Sequence, residues 1–300
     1  ALIAHHQSAG AVAEAVDALR RLGIELPDRP EQSDIECALG ETMTLLAPTS
    51  PQALADLPLM TDPQYLAAIR IMNRILSASY QAAPQLFPIL VFVMVQLSYR
   101  HGNTQGSTSA YATYGLVKSG ILGDYESGYE FGKLALKLVD QLSADDCKAR
   151  TSYVFAAFLQ HWKEPIADTQ PVLRDTYQSG LATGDFEYAG WAAMMTGVHG
   201  FFAGEPLPAI ELVSREYWSV VDQLKQQTAH LHFSIFLQAI SNLQNDGEHP
   251  TSLTGSYFDE HVSVPKLLEA GDRTGLFIVY FNRLVLSYLM GDHAGAARAA

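Results

Sequence analysis

The chain has 300 residues, with 48% apolar and 17% charged side chains and a mean hydropathy of +0.04. That is too apolar for a disordered chain and too polar for a multi-span membrane protein. Its 32 acidic and 19 basic side chains leave a net charge of −13. This is the wrong sign for displacing counterions from nucleic acid, so that class of partner is excluded.

In chain order, Ser8–Leu22 carries the pattern of an amphipathic helix ending at Gly23, followed by the extended Ile24-Glu25-Leu26-Pro27. Ser33 opens a helix to about Leu46, with Glu36 three residues on as its capping-box partner. Thr49–Pro58 is a Pro-flanked connection, and Thr61-Asp62-Pro63 starts a helix reaching about Ala82. Leu86 to Tyr99 is the most apolar stretch. At 14 residues it falls short of the roughly 20 a bilayer crossing needs, so it reads as a buried core helix and no membrane partner is expected.

From about residue 101 onward the breaks become rhythmic: Gly123-Asp124, Ser143, Lys163-Glu164-Pro165, Gly184-Asp185, Gly204-Glu205-Pro206, Asp246-Gly247, Gly271-Asp272 and Gly291-Asp292. Adjacent clear breaks lie about 20 residues apart, the regularity of a repeat array. Glycine after a last apolar turn caps one helix and the following aspartate caps the next. A break near Lys225–Gln227 has no Gly or Pro, so either two helices or one long one fits there. Helices of about 16 residues are roughly 24 Å long and marginal alone, so they must pack on one another. The expected fold is all-α: a right-handed α-solenoid of antiparallel helix pairs in units of about 40 residues. Residues 1–100 form its irregular helical start and residues 101–300 its repeats, continuous with that start.

Local chemistry is sparse. Ser127-Gly128-Tyr129-Glu130-Phe131-Gly132-Lys133-Leu134 lacks the first glycine and the final hydroxyl of a phosphate loop and lies within a helical pattern. Gly128 and Gly132 there read as sites of close helix approach. His5-His6 and His230/His232 are the nearest histidine pairs. On a helix the latter point about 200° apart and cannot share an ion. Asp145-Asp146 and Asp259-Glu260 stand at helix starts, where carboxylates offset the dipole. Cys37 and Cys147 have no metal or disulfide spacing and fit a reducing, cytoplasmic setting. No catalytic residue, metal or cofactor is expected. The first helices of successive pairs, about 106–122, 147–163, 186–203, 227–244 and 273–290, would line a concave groove. Tyr111, Tyr114, Gln160, Trp191, His199, Asn242 and Asn282 are the candidates to face it. Residues 1–60 hold nine acidic and three basic side chains, an acidic face at that end. The sequence begins at Ala1 without Met and stops inside the helix-like run His293–Ala300, as a segment of a longer protein would.

Seven runs taken together resemble a known family: LRRLGIELP (19–27), MTDPQYLAAIRIM (60–72), YGLVKSGILGDYESGYEFGKLAL (114–136), FLQHWKEP (158–165), GLATGDFEYAGWA (180–192), FFAGEPL (201–207) and DRTGLF (272–277). They are similar to the tetratricopeptide-like helical connector of large bacterial multidomain signalling proteins. In those proteins a Ser/Thr kinase-like domain and a predicted P-loop ATPase precede the connector, and a GAF sensor and histidine kinase follow it. The units here are nearer 40 residues than the usual 34, and Gly115 falls one place early, so peptide-binding positions do not carry over. The resemblance implies a non-catalytic scaffold whose partners are neighbouring domains or another signalling protein. The alternative is a sensor binding a small-molecule effector in the groove.

Overall fold

The computed structural model describes residues 8–244 and 249–300, so His5-His6 and the Asp246-Gly247 break lie outside the described residues. Among the described residues the chain is helical throughout and has no strand. Only two isolated bridges, Leu59 with Asn103 and Thr254 with Asp259, have β character. The chain groups into two compact units, Ala1–Pro165 and Ile166–Ala300.

The first unit contains α1 (Ser8–Arg21), α2 (Gln32–Leu46), the single turn α3 (Pro51–Leu54), α4 (Pro63–Ala82), α5 (Leu86–His101), α6 (Gln105–Leu122), α7 (Tyr125–Gln141) and α8 (Asp145–Val154). Helix α1 packs on α4 and α2 on α5; from there the order follows the chain, α4 on α5, α5 on α6 and α6 on α7. Leu90, Val91, Phe92, Met94 and Val95 of α5 are fully buried, so the apolar run is this unit's core. Burying a side chain of that size stabilises by roughly 1.5–3 kcal/mol. The cap of α2 differs from the sequence expectation. Glu31 is the capping residue and Asp34 reciprocates, its Oδ2 accepting from the Glu31 backbone N–H at 2.8 Å. Ser33 is already inside the helix, because the chain turns helical two residues earlier.

A second difference follows α8. The backbone widens into a π turn, Phe155–Leu159, and then tightens into a 3₁₀ turn, Gln160–Trp162, where the periodicity predicts one helix over 147–163. The wide turn brings both Phe155 and Leu159 onto Gly132 of α7. A Cβ at Gly132 would lie 2.6 Å from one and 2.9 Å from the other. Residues four apart share one helix face, so Phe155 and Leu159 close on the same glycine.

The α6–α7 turn works as its Gly-Asp pair requires. Gly123 adopts φ +67°, which a side chain would resist, and Asp124 Oδ1 accepts from the Ser127 backbone N–H at 3.1 Å. The two helices then run unusually close. A Cβ on Gly128 would meet Ser119 Oγ at 1.9 Å and the Gly115 carbonyl at 2.8 Å.

The second unit contains α9 (Thr169–Thr183), α10 (Phe186–Phe202), α11 (Leu207–Gln223), α12 (Gln227–Gln244), α13 (Glu260–Ala270), α14 (Arg273–Leu289) and α15 (His293–Ala299). Here α9 packs on α10, α10 on α11, α11 on α12, and α14 on α13 and α15, while α12 reaches past α13 to α14. The junction without Gly or Pro is a true break, with Lys225 at φ +59° between α11 and α12. The irregular stretch before α13 is held by α12. Asn242 Nδ2 donates to the Pro250 and Ser252 carbonyls at 3.1 and 2.5 Å, and Gln238 Oε1 accepts from the Tyr257 and Phe258 N–H groups at 3.0 and 3.3 Å. These bonds satisfy a loop backbone that must be buried, because Leu253 and Phe258 join Ile235, Leu267, Val279 and Leu286 in the core.

Gly128→Ala is expected to destabilise the chain by about 1–3 kcal/mol through overpacking. Gly120→Ala, where an added Cβ has nothing within 4 Å, is expected to be neutral or slightly stabilising. Urea midpoints measure both, and equal midpoints would refute the close approach.

Candidate functional site

The sequence-derived candidates distribute as follows. Tyr111 and Tyr114 of α6 are core residues, 0% and 2% exposed, brought together on the ring of Phe131 from α7. The Tyr111 hydroxyl donates to Asn103 Oδ1 at 3.2 Å. Asn103 in turn donates its amide to the Leu54 carbonyl at 2.7 Å, tying α3 to the start of α6. Burial pushes the Tyr111 hydroxyl far above its usual value. Tyr114 rises to about 12, through burial first and the nearby Asp124 charge second. These phenols therefore stay neutral and serve packing.

In the second unit each candidate meets a local partner. Trp191 lies 5.4 Å from the His232 ring, and His199 Nδ1 is 2.7 Å from Thr169 Oγ1. Asn242 holds the loop described above, and Asn282 Nδ2 donates to the Ile278 carbonyl of its own helix at 2.8 Å. His230 stacks on Trp218 at 4.6 Å while His232 faces Trp191. The pair thus serves two different neighbours, as residues two apart on a helix must.

Gln160 leads to a richer constellation. It sits where the π turn becomes 3₁₀, and its Nε2 donates to Glu164 Oε2 at 2.7 Å. The other Glu164 oxygen accepts from the Tyr129 hydroxyl on α7. Hydrogen bonds from Tyr129 and then Gln160 favour the charged carboxylate and hold Glu164 below its ordinary range. The same bond to Glu164 raises the Tyr129 hydroxyl to about 12. Lys163 pairs with Glu126 across the same junction.

Above this polar framework Tyr125 and Trp162 stack at 4.0 Å with an interplanar angle of 24°, yet remain 41% and 49% exposed. Ile121 and Leu122, at the end of α6, are exposed as well. A flat, exposed aromatic pair, with exposed aliphatic side chains three and four residues before Tyr125, offers large apolar area at little entropic cost, the profile of a protein-binding anchor. The sequence runs YESGYE and FLQHWKEP contain every residue of this framework, but their meeting depends on the π turn, which no residue type announces. A second apolar strip lies on α14 of the other unit, where Phe277, Phe281 and Tyr288 are exposed and Phe277 stacks on Phe281 at 5.9 Å.

Over 188 residues, 62% of its length, the chain is 23% identical to hybrid signal transduction histidine kinase G of Dictyostelium discoideum. It spans 5% of that protein. No family model matches the chain, and no solved structure matches it. Among the described residues no helix is long and apolar enough to cross a membrane.

The carboxylate under the α6–α7 turn gives a pH test. Asp124 accepts from Lys118 at 2.8 Å, and this bond above all lowers its pKa from 3.8 to about 2. Its stabilising effect is complete above 3.8 and fades as pH falls towards about 2. Asp124→Asn is expected to lower the unfolding temperature at pH 7, with the gap to wild type closing across that acid window. A gap of constant size down to pH about 2 would contradict this assignment.

Proposed function

We propose that the chain is a non-catalytic helical scaffold which docks a neighbouring domain within a signal-transduction kinase. The observation that carries this reading is the Tyr125–Trp162 stack, exposed to solvent while its supporting turn is pinned by Tyr129, Glu164 and Gln160. Solvent-facing aromatics of this size are hard to explain by folding alone, since folding would favour burying them. The distant similarity to a histidine kinase, of which the chain spans a small part, supports a place among other domains of a signalling protein. Packing of consecutive helices from α4 to α7 and from α9 to α12 supports a finer reading as a right-handed, tetratricopeptide-like solenoid of antiparallel pairs. A cytoplasmic setting accords with such a role.

The mechanism is surface complementarity. The partner domain covers the aromatic pair, with Ile121 and Leu122 as the apolar rim and the Lys163–Glu126 pair as the polar edge. A switch from 1:99 to 99:1 between two arrangements needs roughly 5.5 kcal/mol of differential binding, which takes more than one such anchor. The apolar strip on α14 supplies a second face for contact.

Calorimetric titration of the 300-residue chain with kinase-like, ATPase and sensor-kinase domains of the kind that accompany such connectors tests the proposal. Saturable binding to one of them is expected, with Trp162→Ala weakening it by about 2 kcal/mol or more while far-UV circular dichroism is unchanged. Absence of binding to every folded neighbour, or binding indifferent to Trp162→Ala and Tyr125→Ala together, would remove the docking role.

A further inference from the structure

A cleft of about 250 Å³ opens in the first unit between the connection after α1, the first turn of α4 and the second half of α5. Its lining combines two opposite charges with an aromatic wall. Glu25 and Arg100 stand on separate elements and both are exposed. Among the described residues neither has an ion pair or hydrogen bond. Tyr65 and His101 form the wall, stacked with ring centres 3.8 Å apart at 22°. Gln96, 8% exposed, spends its amide N–H on Thr42 Oγ1 at 2.9 Å, and its carbonyl oxygen remains as an acceptor. Leu97 contributes apolar lining beside it.

This set of groups selects among ligand classes. A divalent cation is disfavoured by a single carboxylate beside a guanidinium, and among the described residues no group of three His, Cys, Asp or Glu could hold a metal. A phosphate ester would meet one arginine and be repelled by Glu25, where phosphate sites gather several donors. The volume is below the roughly 300–1,000 Å³ of pockets for drug-sized ligands. What fits is a small molecule carrying both charges and a short apolar or flat body.

We infer that this cleft binds a free α-amino acid, its carboxylate on the Arg100 guanidinium, its ammonium on Glu25 and its side chain against the Tyr65–His101 pair. Arginine can grip a carboxylate through two parallel N–H donors, and Glu25 supplies the acceptor an ammonium needs. The site is independent of the aromatic docking surface and would add effector sensing to a scaffold.

The test is calorimetry on the whole 300-residue chain with the twenty amino acids as individual probes. At least one with an aromatic or aliphatic side chain is expected to bind saturably, with a dissociation constant of about 1 mM or tighter. Arg100→Ala and Glu25→Gln are each expected to weaken binding about tenfold or more, as is N-acetylation or carboxamide capping of the ligand. Both positions are exposed, so unchanged unfolding temperatures will confirm that the variants fold. Trp162→Ala is expected to leave this binding untouched. No saturable binding up to about 10 mM would overturn the inference. So would binding that survives both substitutions, or equal binding of a dicarboxylate with no effect of Glu25→Gln.

Discussion

The close approach of α6 and α7 is the constraint on which the first unit depends. Gly115 and Gly128 face each other so tightly that each would drive an added methyl into the other's carbonyl, at 2.6 and 2.8 Å. That contact sets Phe131 against Tyr111 and Tyr114, and it sets Gly132 where Phe155 and Leu159 can close on it. Native packing density leaves no slack for a spacer, so the backbone spacing is decided by residues without side chains. Tyr125 and Tyr129 lie on the same helix, and their positions over the π turn follow from this spacing.

Distortion and function meet at one place. A helix that stayed regular from Asp145 onward would carry Gln160 and Trp162 onward in α register. The observed widening and tightening bring Trp162 against Tyr125 and Glu164 against Tyr129. The turn that carries Trp162 is held by hydrogen bonds from Tyr129 and Gln160 to Glu164. Such an anchor is pre-ordered, so little rotamer freedom remains to be lost when a partner covers it.

Several polar side chains of the helices here hold the fold's own groups, backbone or side chain. Asn242 and Gln238 tie down a loop, Asn282 bonds its own helix, and Tyr111 holds Asn103. The reason is general: a helical bundle has few free polar groups inside, and a buried amide or hydroxyl is costly unless paired. Glu25 and Arg100 differ because they reach solvent at the mouth of a cleft and have no such obligation among the described residues.

Periodicity and punctuation alone were enough to make the fold class legible. The apolar run of α5 is a buried helix, Asp62-Pro63 starts α4, and Gly123-Asp124, Gly271-Asp272 and Gly291-Asp292 each end one helix and cap another. These are local properties, written within four or five neighbouring residues, so a linear string can hold them. Tertiary structure alone decided the break at Lys225, the π turn after Val154 and the meeting of Tyr125 with Trp162. It also assembled Glu25, Tyr65 and Arg100 around one cleft. Each of these depends on how one helix fits against another, a balance of packing between residues far apart in the chain, or on a backbone strain that neighbours must offset. No local pattern encodes that fit.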